Sequence, residues 1–141
     1  MDAHDLEIRR RTYEVFAELG RAPLSDELGD GPKVRGSWRR LHEEHALVLD
    51  STGELLMANP FSAVVTPYRV EADGRSWYGN CAWDAIGVCA AFHTDGLIET
   101  TCPDCGEEIR LQIQGRRPDD ESLVFHCLVP ARQWWDDIGF T

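Results

Sequence analysis

The sequence predicts an α+β chain in two parts. A helical, winged-helix-like part covers residues 1–58, and a second part of mixed strands and helix covers 59–141. Three observations predict this. Apolar residues return at helical spacing through the first fifty residues, and short strand-like runs separated by turn signals, with alternation at Ile109, Leu111 and Ile113, occupy the last fifty. Between them lies one strongly apolar run, WYGNCAWDAIGVCAAF, Trp77 to Phe92.

Each element follows in order. Leu6, Tyr13, Phe16 and Leu19 share a face and predict a helix over 5–19. GRAPLSDELG turns the chain and predicts a short second helix around Ser25–Leu28. Val34, Trp38, Leu41 and His45 predict a third helix through VRGSWRRLHEEHALV. ALVLDSTGELLMA predicts two short strands around the turn Asp50–Gly53. Pro60 and Pro67 mark an ordered linker over 58–76 with a short strand near Tyr68–Val70. Trp77–Phe92 predicts a helix. GLIETTC, EEIRLQIQG and ESLVFHCLV predict strands, separated by the turns PDCG and GRRPDDE. PARQWWDDIGFT predicts a helical turn heading into a further strand.

The chain has 141 residues, 43% of them hydrophobic, with five Trp, enough for one real core. No apolar run approaches the ~18–20 residues of a membrane span, and the charged N-terminus lacks a signal-peptide core, so a cytoplasmic protein is expected. Five cysteines, an odd number, then read as thiols, metal ligands or catalysts rather than a disulfide framework. The formal net charge is −11. That surface repels phosphate backbones, so no nucleic acid partner is expected, and no membrane. Arg35, Arg39 and Arg40 on the third helix are where a winged-helix regulator would touch DNA. The competing reading has them solvated or paired with Glu43 and Glu44.

The chemistry concentrates in the apolar run. On a helical wheel Cys81, Asp84, Val88 and Phe92 share one stripe, so the thiol and the carboxyl can face one pocket. Burial and a neighbouring thiolate would both raise the pKa of Asp84. A protonated acid beside a soft thiolate can hold a soft electrophile and deliver a proton to it. The bland alternative is an acid satisfied by helix-start amides beside an inert core cysteine. A helix start lowers a thiol's pKa and a nearby carboxylate raises it; with both beside it, Cys81 is expected to be the thiol most reactive toward soft electrophiles.

ANPFSAV, WYGNCAWDAIG and ETTCPDCG, in that order and spacing, resemble the alkylmercury lyase (organomercurial lyase) family over residues 6–141. The resemblance implies a helical, winged-helix-like part joined to a mixed catalytic part. It implies that Cys81 is the first catalytic cysteine and Asp84 the catalytic acid. The reaction so implied is protonolysis of a carbon–mercury bond in a small organometallic or other thiophilic substrate. It needs no cofactor and leaves Hg(II) as product or ligand. The family's second catalytic cysteine would fall at or just past Thr141; Cys127 does not match it but offers a substitute thiol. Two other functions stay open: a soft-metal-binding or sensing protein without turnover, and a winged-helix transcription regulator.

Cys102 and Cys105, in CPDCG, are half of a zinc ribbon, which His126 and Cys127 would complete. The other reading is a reduced pair or an accessory soft-metal pair. Within the resemblance, Cys102 matches a structural cysteine and Cys105 is an addition. Cys89 reads as a small core residue. Trp83, and less so Trp77, Trp134 and Trp135, could wall a pocket for an organic group, with Trp83 the candidate substrate-binding residue.

Overall fold

The computed structural model describes residues 1–139 and has the expected α+β class. Helix α1, Ala3–Leu19, opens with a reciprocal cap between Asp2 and Asp5 and closes on Gly20 in the left-handed region. The expected second helix is a single 3-10 turn, Ser25–Glu27. Helix α2, Gly31–Glu43, starts earlier than its apolar spacing suggests, because Asp30 caps it and Pro32 suits a first helical turn. It also ends earlier. His45 lies beyond it at φ 60°, so the last residue of the predicted stripe is outside the helix.

Two interactions join α1 to α2. The Trp38 indole N–H donates to Thr12 Oγ1 at 3.0 Å, and that hydroxyl donates to the Ile8 carbonyl at 2.8 Å. Arg40 donates to both oxygens of buried Asp5, at 3.0 and 2.6 Å. Arg40 is thereby engaged within the protein, and Arg35 donates to Ser25 Oγ at 2.5 Å.

Three short strands follow: β1, Val48–Leu49; β2, Leu55–Ala58; and β3, Phe61–Ser62. They form one antiparallel sheet in that order. The third strand lies where the sequence suggested linker. A second antiparallel sheet has the order β5-β4-β6-β7-β8. Its strands are β4 (Arg69–Ala72), β5 (Arg75–Tyr78), β6 (Gly96–Thr101), β7 (Glu108–Gln114) and β8 (Arg117–Pro118). Helix α3, Ala82–Phe92, packs on β4 and β6. Register aligns Trp77, Val70, Ile98 and Leu111 in one buried row across four strands.

Three expectations change in this half. Trp77 belongs to β5, so the helix begins five residues later than the apolar run does. ESLVFHCLV forms no strand: the chain runs exposed there, with Val124 and Leu128 at 88% and 74% exposure. The short β8, inside a predicted turn, pairs with β7 instead. The ending makes the helical turn, as a 3-10 segment over Ala131–Asp136, and no strand forms through residue 139; residues 140–141 lie outside the described residues.

One hydrophobic cluster draws on both sides of the 58/59 boundary, from Ile8, Phe16 and Trp38 to Val70, Val88 and Ile113. Phe61 stacks on Phe16 at 5.3 Å, and the Trp77 indole donates to the Phe16 carbonyl at 2.7 Å. No helix among the described residues is long and apolar enough to cross a membrane.

The Asp5–Arg40 pair makes stability pH-dependent. The Arg40 guanidinium holds the Asp5 carboxyl well below the usual carboxylate range, against the effect of burial. A depressed folded pKa stabilises above the unfolded pKa, and that contribution is lost as pH falls from there through the folded value. Asp5→Asn is expected to lower stability at pH 7 and to flatten this acid dependence. Urea unfolding of both proteins from pH 7 down to about pH 2 measures it; parallel curves would contradict the assignment.

Candidate functional site

The site is built where β5 runs into α3. Gly79 is fixed on three sides: its N–H donates to the Tyr68 carbonyl at 2.9 Å, its carbonyl accepts from Thr66 Oγ1 at 2.6 Å, and it bridges to Phe61. A Cβ at residue 79 would lie 2.7 Å from the Ala85 nitrogen and 3.0 Å from its Cα. Only glycine lets the strand end approach the first turn of α3 so closely.

That approach sets Cys81 as the N-cap of α3, in extended conformation, rather than as a residue inside the helix. Its carbonyl accepts the first helical bond, from the Ala85 N–H at 3.0 Å. Asp84 follows in the first turn, three residues on from Cys81, and the carboxyl and the thiol each influence the other's proton affinity. Both side chains are half-buried, so Asp84 is less enclosed than its apolar neighbours suggest.

The electrostatics follow from that half-burial. Desolvation pushes the Asp84 carboxyl up, while the Asn80 amide and the Cys81 thiol pull it partly back. Desolvation also pushes the Cys81 thiol up; the charge of Asp84 adds to this, and the first-turn amides of Asp84 and Trp83 oppose it. Burial therefore outweighs the helix start that was expected to acidify Cys81. The thiol pulled down is Cys102, chiefly by the amides of Cys105 and Asp104.

Sequence reasoning missed the residues that hold Asp84. Asn80 Nδ2 donates to Asp84 Oδ2 at 3.0 Å, and lies 3.3 Å from both Asn59 Oδ1 and the Phe61 carbonyl. Asn80 Oδ1 is buried without a partner among the described residues, leaving a spare acceptor beside the site. The Tyr13 hydroxyl donates to the Asn59 carbonyl at 3.1 Å, and burial, then the charge of Asp84, push its pKa up against the pull of Arg9. These residues come from separate segments, and no spacing in the sequence links them. Tyr13, Asn59, Phe61 and Phe92 also line an apolar groove of about 550 Å³. A larger, more polar groove of about 600 Å³ lies around Arg69, Asp73 and Asp95; neither is lined by Cys81 or Asp84.

The other candidates are dispersed. Trp83 is 64% exposed, with its ring 6.3 Å from that of Phe125. Trp77 is core, and Trp135 stacks on His45 at 4.0 Å. Cys89 is buried. Cys127 is exposed, and its thiol donates to the Val129 carbonyl at 3.2 Å. The expected four-ligand zinc set is not assembled: among the described residues no three His, Cys, Asp or Glu side chains converge on a metal position. His126 and Cys127 sit on an exposed irregular stretch, not on a strand beside the CPDCG turn, so they do not complete it.

The family model for alkylmercury lyase matches residues 61–141, more than half of the chain. The chain belongs to the alkylmercury lyase family. A solved structure, described as the mercury-bound form of MerB2, superposes with a TM-score of 0.67 at 18% identity. The match covers 85% of this chain and 60% of that one, so this chain spans less than two thirds of that relative's length. At that identity the likeness shows the fold. No curated protein matches the chain. The family's match begins at Phe61 and takes in Gly79, Cys81 and Asp84, but not Tyr13 or Asn59.

Gly79→Ala tests whether the strand end and the helix hold each other at this distance. The added methyl meets backbone, which cannot swing aside, so the substitution is expected to cost about 1–3 kcal/mol, as overpacking does. Urea denaturation measures it. A variant as stable as the parent would show that the approach does not constrain Cys81 and Asp84.

Proposed function

We propose that this chain is an organomercurial-lyase-like protein in which Cys81 captures an organomercury or related thiophilic substrate and Asp84 supplies the proton. The placement of Cys81 as the cap of α3 with Asp84 in its first turn, both half-buried, carries this reading. Family membership supports the reaction class.

The chemistry balances as follows. Cys81 loses its thiol proton to solvent, and the thiolate displaces the anion X⁻ from R–Hg–X to give R–Hg–Sγ. The Asp84 carboxyl proton then passes to the carbon of R. The carbon–mercury bonding pair becomes the new C–H bond, and R–H leaves with Hg(II) still on Cys81. A carboxyl pushed up by burial keeps its proton further toward neutral pH than an ordinary one, which suits an acid whose target is a poor leaving carbanion. Asn80, with Asn59 behind it, holds the Asp84 carboxylate in place. Trp83 and Phe125 offer an exposed apolar wall one residue from Asp84, against which the organic group would lie.

One observation favours a second reading, capture without turnover. Among the described residues no second cysteine joins Cys81 and Asp84. The position matching the family's second catalytic cysteine, at or past Thr141, lies outside the described residues. A second sulfur would otherwise come from an external thiol.

Phenylmercury with excess external thiol separates the readings. The parent is expected to release benzene. Asp84→Ala is expected to keep the mercurial and to release benzene about 10²–10⁴-fold more slowly, as loss of a positioned acid does. Cys81→Ser is expected to lose both. Benzene release by Cys81→Ser at the parent rate would overturn the assignment. Stoichiometric capture at Cys81 with no benzene would replace turnover by binding alone.

A further inference from the structure

The CPDCG turn lies outside the Cys81–Asp84 site, and its backbone is ordered. Strands β6 and β7 register Thr101 against Glu108, and the chain reverses between them. The Cys102 N–H donates to the Glu107 carbonyl at 2.8 Å, and the Cys102 carbonyl accepts from the Gly106 N–H at 2.9 Å. Gly106 sits at φ +75°, which lets the loop close. The closed loop holds Cys102 and Cys105 three residues apart on one tight turn, the spacing of a C-x-x-C metal knuckle. Cys105 is exposed and Cys102 half-exposed, so an ion reaches them without any opening of the core.

We propose that Cys102 and Cys105 form a second soft-metal site, a two-thiolate clamp for a thiophilic closed-shell ion such as Hg(II), separate from Cys81. The donor count selects the ion. Structural zinc takes four ligands, and no third His, Cys, Asp or Glu joins this pair among the described residues. Soft ions that are content with two sulfurs match what the turn supplies. Binding replaces two S–H bonds by two S–Hg bonds and releases two protons to solvent, with no change of oxidation state.

Topology places this clamp at the end of the sheet that carries Cys81. Tyr78 pairs with Arg69, and Arg69 with Glu99, in one row across β5, β4 and β6. Cys81 lies three residues past Tyr78, and Cys102 three residues past Glu99, both beyond that same row. Two strand spacings, roughly 10 Å, separate the two chain paths at that row. A clamp there stands ready for an ion released at Cys81; that last step rests on the lyase reading, while the clamp itself does not.

The test therefore removes Cys81. In the full chain carrying Cys81→Ser and Cys127→Ser, Hg(II) is titrated in competition with a monothiol. Native mass spectrometry and thiolate-to-mercury ultraviolet absorption follow the binding. One Hg(II) per chain with loss of two protons is expected. Adding Cys102→Ser or Cys105→Ser should weaken binding about 10²–10⁴-fold, the loss of a chelate partner at high effective concentration. Zn(II) should compete poorly. Circular dichroism on each variant confirms the fold. Folded Cys102→Ser and Cys105→Ser variants that bind Hg(II) as tightly as their background would overturn the clamp, as would a background that binds none. Neither result would bear on benzene release by the parent.

Discussion

Residue 79 has to be a glycine, and the candidate site depends on it. At this point the end of β5 runs against the first turn of α3 with no room for a Cβ. That approach fixes where the helix begins, which makes Cys81 the cap and puts Asp84 in the first turn beside it. The same junction ties the two sheets, through the bridge from Gly79 to Phe61. Phe61 in turn stacks on Phe16 of the first helix. The N-terminal helices are thus part of the surroundings of Asp84, through Tyr13 and Asn59, rather than a separate module beside it.

Two opposing effects meet at Cys81. A helix start favours the thiolate, while partial burial and a neighbouring carboxylate disfavour it. Here burial wins, and the thiol is held up. The carboxyl is held up for the same reason. The pair is therefore biased toward its protonated forms, and in the proposed chemistry a soft electrophile, not the helix, draws the proton off sulfur. Cys102 is the reverse case, a half-exposed thiol pulled down chiefly by the amides of its own turn.

Much of this architecture was legible in the residues. The stripe Leu6–Tyr13–Phe16, the turn at Asp50–Gly53 and the alternation Ile109–Leu111–Ile113 each predict the element that forms. Cys81 and Asp84 stand out because a carboxylate is rare in so apolar a run. The start of α3 was hidden because Trp77 and Tyr78 suit a helix pattern as well as a strand, and cysteine is not a usual cap. Glu121–Val129 is rich in β-forming residues, yet β-propensity reports fit to a neighbouring surface, and β7 gives its edge to β8 instead. The support of Asp84 by Asn80, Asn59 and Tyr13 was illegible, because three separate stretches of chain meet only after folding.

The central claim is that the start of α3 sets a proton-retaining Asp84 beside Cys81. Titration of the Asp84 side-chain carboxyl by carbon-13 NMR measures it most directly, with the signal assigned by its loss in Asp84→Asn. The account predicts a pKa above the ordinary carboxylate value of about 3.9, and a thiol signal at Cys81 that responds as Asp84 ionises. A carboxyl that titrates at or below that value, or a Cys81 that does not sense it, would contradict the account.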